Sequence, residues 1–269
     1  MIPPAVIHEN PVNCVKKVRI VSILRGTGGR HFPTMTRRPR AANPRPMRHE
    51  HLRNIDAVIF DLDGLILDSE RPIRDAVIEV VAALGFDMPE AFYATMIGVP
   101  GPECDLMIRD FFGASFPFDT YFETSNAKIA EALAAGIALK SGVREILQHL
   151  DQRKTPLALA TSSSRRYVER QLNANNLAPF FKAVATRDDV KRGKPHPDLF
   201  LLAAADLGVA PERCLVLEDS HNGVRAAHAA GCVPIMVPDL LQATDEMREL
   251  CLLVASDLHE VRQLLAQHP

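Results

Sequence analysis

An apolar run that stops abruptly at two carboxylates constrains what this chain can fold into. Ile55-Asp56-Ala57-Val58-Ile59-Phe60-Asp61-Leu62-Asp63-Gly64 is apolar and β-branched up to Phe60, then carries acids at i and i+2 with a glycine behind them. Such a run predicts a buried strand over 55–60 whose end delivers Asp61 and Asp63 to the carboxyl edge of a sheet. Open α/β sheets hold their ligands at that edge. Two acids at a buried strand mouth lose hydration and repel each other, so they call for a cation or a chemical task. An aspartate that merely caps the next helix is the plainer reading, and the groups found downstream outweigh it.

Beyond residue 54, strand-like and helix-like stretches alternate, as in a parallel sheet flanked by helices. Further strands are predicted at 156–161, 182–186, 214–218 and 233–237, with a short edge strand at 252–254. Helices are predicted at 142–151, 165–175, 197–207, 222–230 and 257–267, with Gly208 and Gly231 where C-caps belong. One interval breaks the rhythm: 70–138 reads as helices without a strand. Pro72 stands near a helix start, followed by an apolar stripe at Ile73, Val77, Val80, Val81 and Leu84, and a second amphipathic stretch runs from Phe122 to Ala135. The expected fold is α/β, a Rossmann-like doubly wound parallel sheet formed by 54–69 and 140–269, with a small α-helical domain over 70–139 inserted into it. An insertion directly behind the two aspartates overhangs the sheet's carboxyl edge, the position of a lid over water and substrate.

Composition removes several function classes. Apolar content of 47% and charged content of 24% suit a globular chain, and 269 residues allow a core plus a smaller domain. No apolar run approaches the roughly 20 residues of a bilayer-spanning helix, so no membrane partner is expected. The five cysteines are scattered without CxxC or zinc spacing, which fits a reducing cytoplasm and thiols used for packing. Tryptophan is absent, which leaves little basis for nucleic-acid stacking. The net charge of −2 conceals a division: residues 1–53 hold 11 Lys/Arg against 2 Asp/Glu, and the remainder 20 against 31. Segment 33–46, rich in Pro and Arg without apolar periodicity, is expected to be disordered. A targeting peptide or nucleic-acid arm is the sharper reading of this leader; the plainer and preferred one is an upstream extension, with Met47 beginning the working protein. Val18 to Leu24 lacks the length and cleavage site of a signal peptide. Gly26, Gly28 and Gly29 precede no strand-to-helix unit and are read as loop.

Four strand ends carry groups that suit one reaction. The first has Asp61 and Asp63. The second ends at Thr161-Ser162-Ser163-Ser164, whose hydroxyls and N–H groups at a helix start can hold a phosphate. The third leads to Lys191-Arg192-Gly193-Lys194-Pro195-His196-Pro197, and the fourth ends at Glu218-Asp219-Ser220 before His221-Asn222-Gly223. Each is weak alone, and together they would converge at one sheet edge. Asp61, Asp63, Glu218 and Asp219 bring up to four negative charges into a small space, where two unit charges at 4 Å repel by about 4 kcal/mol at an effective dielectric of 20. A hard divalent cation relieves this, and a carboxylate site sharing its metal with a phosphate favours Mg²⁺. Lys194 would balance the phosphate. An aspartate nucleophile divides phosphate-ester hydrolysis through an aspartyl-phosphate, while an acid two residues on protonates the leaving oxygen and later activates water.

Asp61-Leu62-Asp63-Gly64, Thr161, Lys194-Pro195 and Glu218-Asp219-Ser220 together resemble the four motifs of the haloacid dehalogenase superfamily. The longer strings, Phe60 to Glu70, Gly193 to Phe200 and Leu217 to Gly223, are similar to its subclass with a helical cap inserted after the first motif. The resemblance covers about 54–265. It implies Asp61 as nucleophile and metal ligand, Asp63 as general acid/base and backbone-carbonyl ligand, and Thr161, Ser162, Lys194 and Gly64 around the phosphate. It implies Glu218 and Asp219 on Mg²⁺. Family dehalogenases need neither an acid at the Asp63 position nor a metal, so dehalogenation is not the expected chemistry.

The resemblance leaves phosphatase and β-phosphoglucomutase-like readings. Mutases of the family carry a histidine in the helix after the first motif and an arginine after the cap's Gly-Val. This chain has Ile73 and Gly101 at those positions. A mutase must shield its aspartyl-phosphate from water, so a phosphatase acting on small phosphorylated metabolites is expected, sugar phosphates first and phosphoglycolate-like acids second. A non-enzymatic binding protein on the same fold is the minor alternative. Arg71, Arg109, Arg165 and Arg166 are read as substrate contacts or plain surface residues, Pro100-Gly101-Pro102 as a stiff cap loop, and the chain as a monomer by default.

Overall fold

The computed structural model describes residues 50–97, 101–134 and 136–267; the readings of the basic leader up to residue 49, and of Gly98 to Pro100, lie outside these. In chain order the elements are β1 (Ala57–Phe60), α1 (Glu70–Ala83), α2 (Glu90–Met96), α3 (Gly101–Phe112), α4 (Phe118–Ala134), α5 (Val143–Gln152), β2 (Leu157–Ala160), α6 (Arg165–Ala174), β3 (Ala183–Ala185), α7 (Asp198–Leu207), β4 (Cys214–Glu218), α8 (His221–Ala229), β5 (Val233–Met236), α9 (Asp245–Leu250), β6 (Leu253–Val254) and α10 (Leu258–Ala266). The strands form one parallel sheet in the order β3-β2-β1-β4-β5-β6. This is the Rossmann-like α/β fold. The chain winds outward from β1 through β2 to β3, then crosses back to β4 on the other side of β1. Such a reversal opens a crevice at the carboxyl ends of the two central strands, and Asp61 stands there.

Alternation along each strand sends successive side chains to opposite faces. Val58, Phe60, Leu157, Leu159, Leu215 and Leu217 join a core with α5, α6 and α10 through Ile146, Leu150, Val168, Leu172 and Val261. The opposite face is built from smaller residues, Ala57, Ala158, Ala160, Ala183, Ala185 and Cys214, with Ile59 and Val216. Small strand residues let α7 lie close, with Leu199, Phe200, Ala203 and Ala204 fully buried against them. Cys214 and Cys232 belong to this face, where burial pushes their thiols up to about 11 and about 12. They are packing groups, as the cysteine spacing predicted.

Between β1 and β2 the described residues of 70–134 form the helices α1 to α4 and their connections, without a strand. The stripe on α1 buries Ala76, Val77, Val80 and Val81 against α4, and α3 reaches back to the loop after α1 by an edge-on contact of Phe112 with Phe86. The two chain crossings into this insert pair with each other: the Asp68 N–H donates to Ala138 O at 2.9 Å and the Lys140 N–H to Ile66 O at 2.9 Å.

Some expectations shift. The strand predicted at 214–218 is found with those bounds, the others are trimmed by a residue or two, and α9 and the separate α2 and α3 come as additions. Gly101 and Pro102 open α3 instead of stiffening a loop, in keeping with proline's fitness for a first helical turn. Glu50–Asn54 forms a 3-10 turn and Leu52 is buried, so the ordered core begins ahead of residue 54. Among the described residues no helix is long and apolar enough to cross a membrane.

Candidate active site

Asp61 continues the β1 ladder by donating its N–H to Leu217 O at 3.0 Å. This sets its carboxylate beside the end of β4, where Glu218 follows. The Lys194 ammonium enters from the loop before α7 and donates to both, to Asp61 Oδ1 and to Glu218 Oε1, the latter at 2.5 Å. All three side chains are at most 8% exposed, so water cannot screen the charges. Burial drives the Asp61 carboxyl up to about 8; Lys194 opposes this and Glu218 and Asp63 add to it. Burial pulls Lys194 down, and Asp61 and Glu218 more than reverse it, so its net shift is upward and it stays cationic. The acids therefore share a deficit of positive charge between them.

The other oxygen of Glu218, Oε2, accepts from the Ser220 N–H at 3.0 Å and the Ser220 hydroxyl at 2.9 Å. Ser220 in turn caps α8 by accepting from the Gly223 N–H. Both Glu218 oxygens are thus engaged, by Lys194 and Ser220. Glycine at 223 is required sterically, because a methyl there would penetrate the Glu218 carboxylate. Gly223→Ala is expected to lower stability by about 1–3 kcal/mol through overpacking and to depress activity by displacing Lys194. Denaturant unfolding beside a phosphatase assay checks it, and an unchanged midpoint with full activity would refute it.

Asp219 lies across the crevice. Loss of water around its carboxyl, with the Glu218 and Asp61 charges, holds it well above the ordinary carboxylate range. The residue as a whole is partly exposed; the carboxylate is its enclosed end, packed against Gly64 so closely that a side chain at 64 would collide with it. Gly64 also has φ +81°, a left-handed conformation that glycine alone adopts without strain. Its N–H donates to Leu67 O at 2.9 Å. Here its N–H closes the turn and its missing side chain leaves space for Asp219.

Asp63 is held by hydroxyls. Ser69 and Tyr167 both donate to Oδ1, at 3.0 and 2.9 Å, and Ser163 donates to Oδ2 at 2.5 Å. Burial, and then the charge of Asp63, raises the Tyr167 phenol and keeps it a donor. Thr161, buried at the end of β2, accepts from the Ser163 N–H at 3.1 Å and so shapes that loop. Ser162 and Lys194 line a cavity of about 200 Å³ with Ser220, His221, Asn222 and Arg225, and Ile97 at the end of α2 forms part of its wall. Core and insert thus enclose the same space. Among the described residues no three His, Cys, Asp or Glu groups stand arranged as a ready metal cage, and Lys194 lies between Asp61 and Glu218.

The arginines divide. Arg71 pairs with Asp68 at 2.5 Å and Asp239 at 3.0 Å, and Lys140 with Asp239 at 2.5 Å, tying the two crossings to the loop after β5. Arg165 pairs with Asp189 at 2.6 Å, Arg166 is exposed, and Arg109 sits over the Phe118 ring. None of the four lines the cavity. Glu70, at the start of α1, is pushed up to about 7 by burial and by Asp63 and Asp239. Sequence reasoning missed the hydroxyls on Asp63. Ser163 lay inside the Thr-Ser run and Ser69 beside Asp68, but nothing marked Tyr167.

The family model for haloacid dehalogenase-like hydrolases matches residues 58–237. The phosphorylated carbohydrates phosphatase of Thermotoga maritima is 31% identical over 177 residues, 66% of this chain and 82% of its own length. Hexitol phosphatase B of Escherichia coli is 35% identical over 192 residues, 69% of this chain and 85% of its own. A crystal structure of a HAD family hydrolase from Deinococcus radiodurans, with bound phosphate and sodium, matches at a TM-score of 0.72 and 28% identity, covering 80% of this chain and 97% of that one.

Proposed function

Because the chain belongs to the haloacid dehalogenase-like hydrolase family, we propose that it is a phosphatase that hydrolyses small phosphorylated carbohydrates through an aspartyl-phosphate on Asp61. The observation that carries this reading is the buried Asp61–Lys194–Glu218 set opening into a cavity shared with Ser162. Asp61 attacks phosphorus, the bond to the ester oxygen breaks, and Asp63 gives that oxygen a proton. Asp63 then takes a proton from water as the water attacks the aspartyl-phosphate, which releases phosphate and restores Asp61. Thr161, Ser162 and Lys194 hold the phosphoryl oxygens.

The donor set fits Mg²⁺: the acids are hard oxygen ligands, and the upward shifts at Asp61 and Asp219 mark a place short of positive charge. Asp61, Asp219 and the Asp63 carbonyl would hold it, with Glu218 acting first on Lys194. When bound, Mg²⁺ supplies charge that keeps Asp61 ionised and offsets the phosphate. The insert serves as a cap, since Ile97 forms part of the cavity wall. His221, Asn222 and Arg225 supply polar groups for a hydroxyl-bearing leaving group, which favours sugar and polyol phosphates. The relatives named for phosphorylated carbohydrates and hexitols support the same class. A mutase reading lacks support at Ile73 and Gly101.

Assay of a panel of sugar, polyol and acid phosphates by released phosphate, with and without EDTA, tests this. Highest kcat/KM on sugar or polyol phosphates, abolished by EDTA and restored by Mg²⁺, is expected. Activity indifferent to EDTA, or isomerised sugar phosphate in place of free phosphate, would overturn it.

A further inference from the structure

Asp63 is fixed more completely than proton transfer alone requires. A carboxylate oxygen offers two lone pairs, and Oδ1 has a donor for each, the hydroxyls of Ser69 and Tyr167. Among the described residues, Oδ2 has the Ser163 hydroxyl as its donor. The donors come from separate places: Ser69 precedes α1, Ser163 stands in the loop after β2, and Tyr167 lies in the first turn of α6. Tyr167 is the anchored member, because its ring packs against the main core while its hydroxyl reaches the carboxylate. We infer that Tyr167 is a positioning residue for the acid/base Asp63, occupying Oδ1 so that Oδ2 is the oxygen that carries the transferred proton. Ser163 fixes the direction of Oδ2. The inference rests on the proposed phosphatase mechanism and goes beyond it, since Tyr167 does not line the cavity and acts through Asp63.

Such a role has a signature that simple packing lacks. In the first half-reaction kcat/KM reports transfer of the phosphoryl group to Asp61, where Asp63 matters only if the leaving oxygen needs a proton. A 4-nitrophenolate leaves without one, whereas a benzyl alkoxide does not. General acid catalysis is worth roughly 10²–10⁴-fold, and a misdirected acid forfeits part of it. Tyr167→Phe keeps the ring and removes the donor. It is expected to lower kcat/KM on benzyl phosphate by about tenfold or more, while the value on 4-nitrophenyl phosphate changes by less than about threefold. Ser163→Ala should give the same split, so the inference stays testable if Tyr167→Phe folds poorly. An Asp61-dependent enzyme that loses equal factors on both esters, or none on either, sinks the inference and leaves the proposed function standing. A wild-type enzyme that releases phosphate from neither these esters nor any sugar or polyol phosphate removes both.

Discussion

Asp61→Asn is expected to abolish phosphate-ester hydrolysis while leaving the fold at least as stable as before. The amide matches the carboxylate in size but cannot form an acyl phosphate, so kcat/KM should fall by at least about 10⁴-fold. The stability half follows from the surroundings. Burial, Glu218 and Asp63 raise Asp61 to about 8, far above its unfolded value. The folded state therefore binds a proton more tightly than the unfolded chain, and the wild type loses stability as pH rises from about 4 to about 8. Asn removes that liability, and loss of one Lys194 partner offsets part of the gain, since Glu218 still receives the ammonium. The variant's advantage in thermal unfolding should be small at pH 4.5 and grow toward pH 8.5, measured without Mg²⁺. Hydrolysis within tenfold of wild type would remove Asp61 as the nucleophile. A large loss of stability at high pH would show that the Asp61–Lys194 pair outweighs the repulsion among the acids.

What the sequence disclosed follows from how local each signal is. β1 is buried on both faces, so its apolar run is continuous and its end is sharp; Asp61 and Asp63 could be placed from it directly. The Thr161, Lys194 and Glu218-Asp219 positions were legible because each directly follows or closes a strand, or lies between recognisable elements, and topology then gathers them. β3 keeps only three residues, and its flanks, Lys182 and Thr186, read as strand because no turn residue stops the Ala-Val-Ala pattern between them. α9 is six residues long with Met247 as its one buried side chain, too short for periodicity, although Thr244 followed by two acids was a usable start signal. The hydroxyl cradle on Asp63 was illegible because Tyr167 meets it across 104 positions. The same holds for Asp239, which receives Arg71 and Lys140 from the two crossings: each partner alone looks like a surface charge, and only the fold buries the acid between them. Pairings made by topology leave no local trace.

Lys194→Met separates the two tasks assigned to this lysine. In the wild type one ammonium lies between two buried carboxylates, with Asp219 nearby. Methionine fills a similar volume against Phe200, over whose ring the ammonium sits at 5.0 Å, so lost packing is minor. The lost charge is not: removing one partner from a buried ionic group costs about 3–5 kcal/mol. Chemical denaturation at pH 8 should register that loss, together with hydrolysis reduced to near background. At pH 5 the penalty should shrink, because Asp61 and Asp219, already displaced upward, take up protons in place of the ammonium. Lys194 itself does not contribute to that slope: its pKa is raised from an already high value, so its stabilisation persists through neutral pH and fades only in strong alkali. Saturating Mg²⁺ should restore part of the stability without restoring turnover, because it replaces the charge but not the proposed contact of the lysine with the phosphate. Adding Glu218→Gln to the methionine variant should recover stability relative to the single change, since it removes one of the carboxylates left bare. A single-variant penalty below about 1 kcal/mol, or strictly additive effects in the pair, would mean that the ammonium is not what holds these acids together.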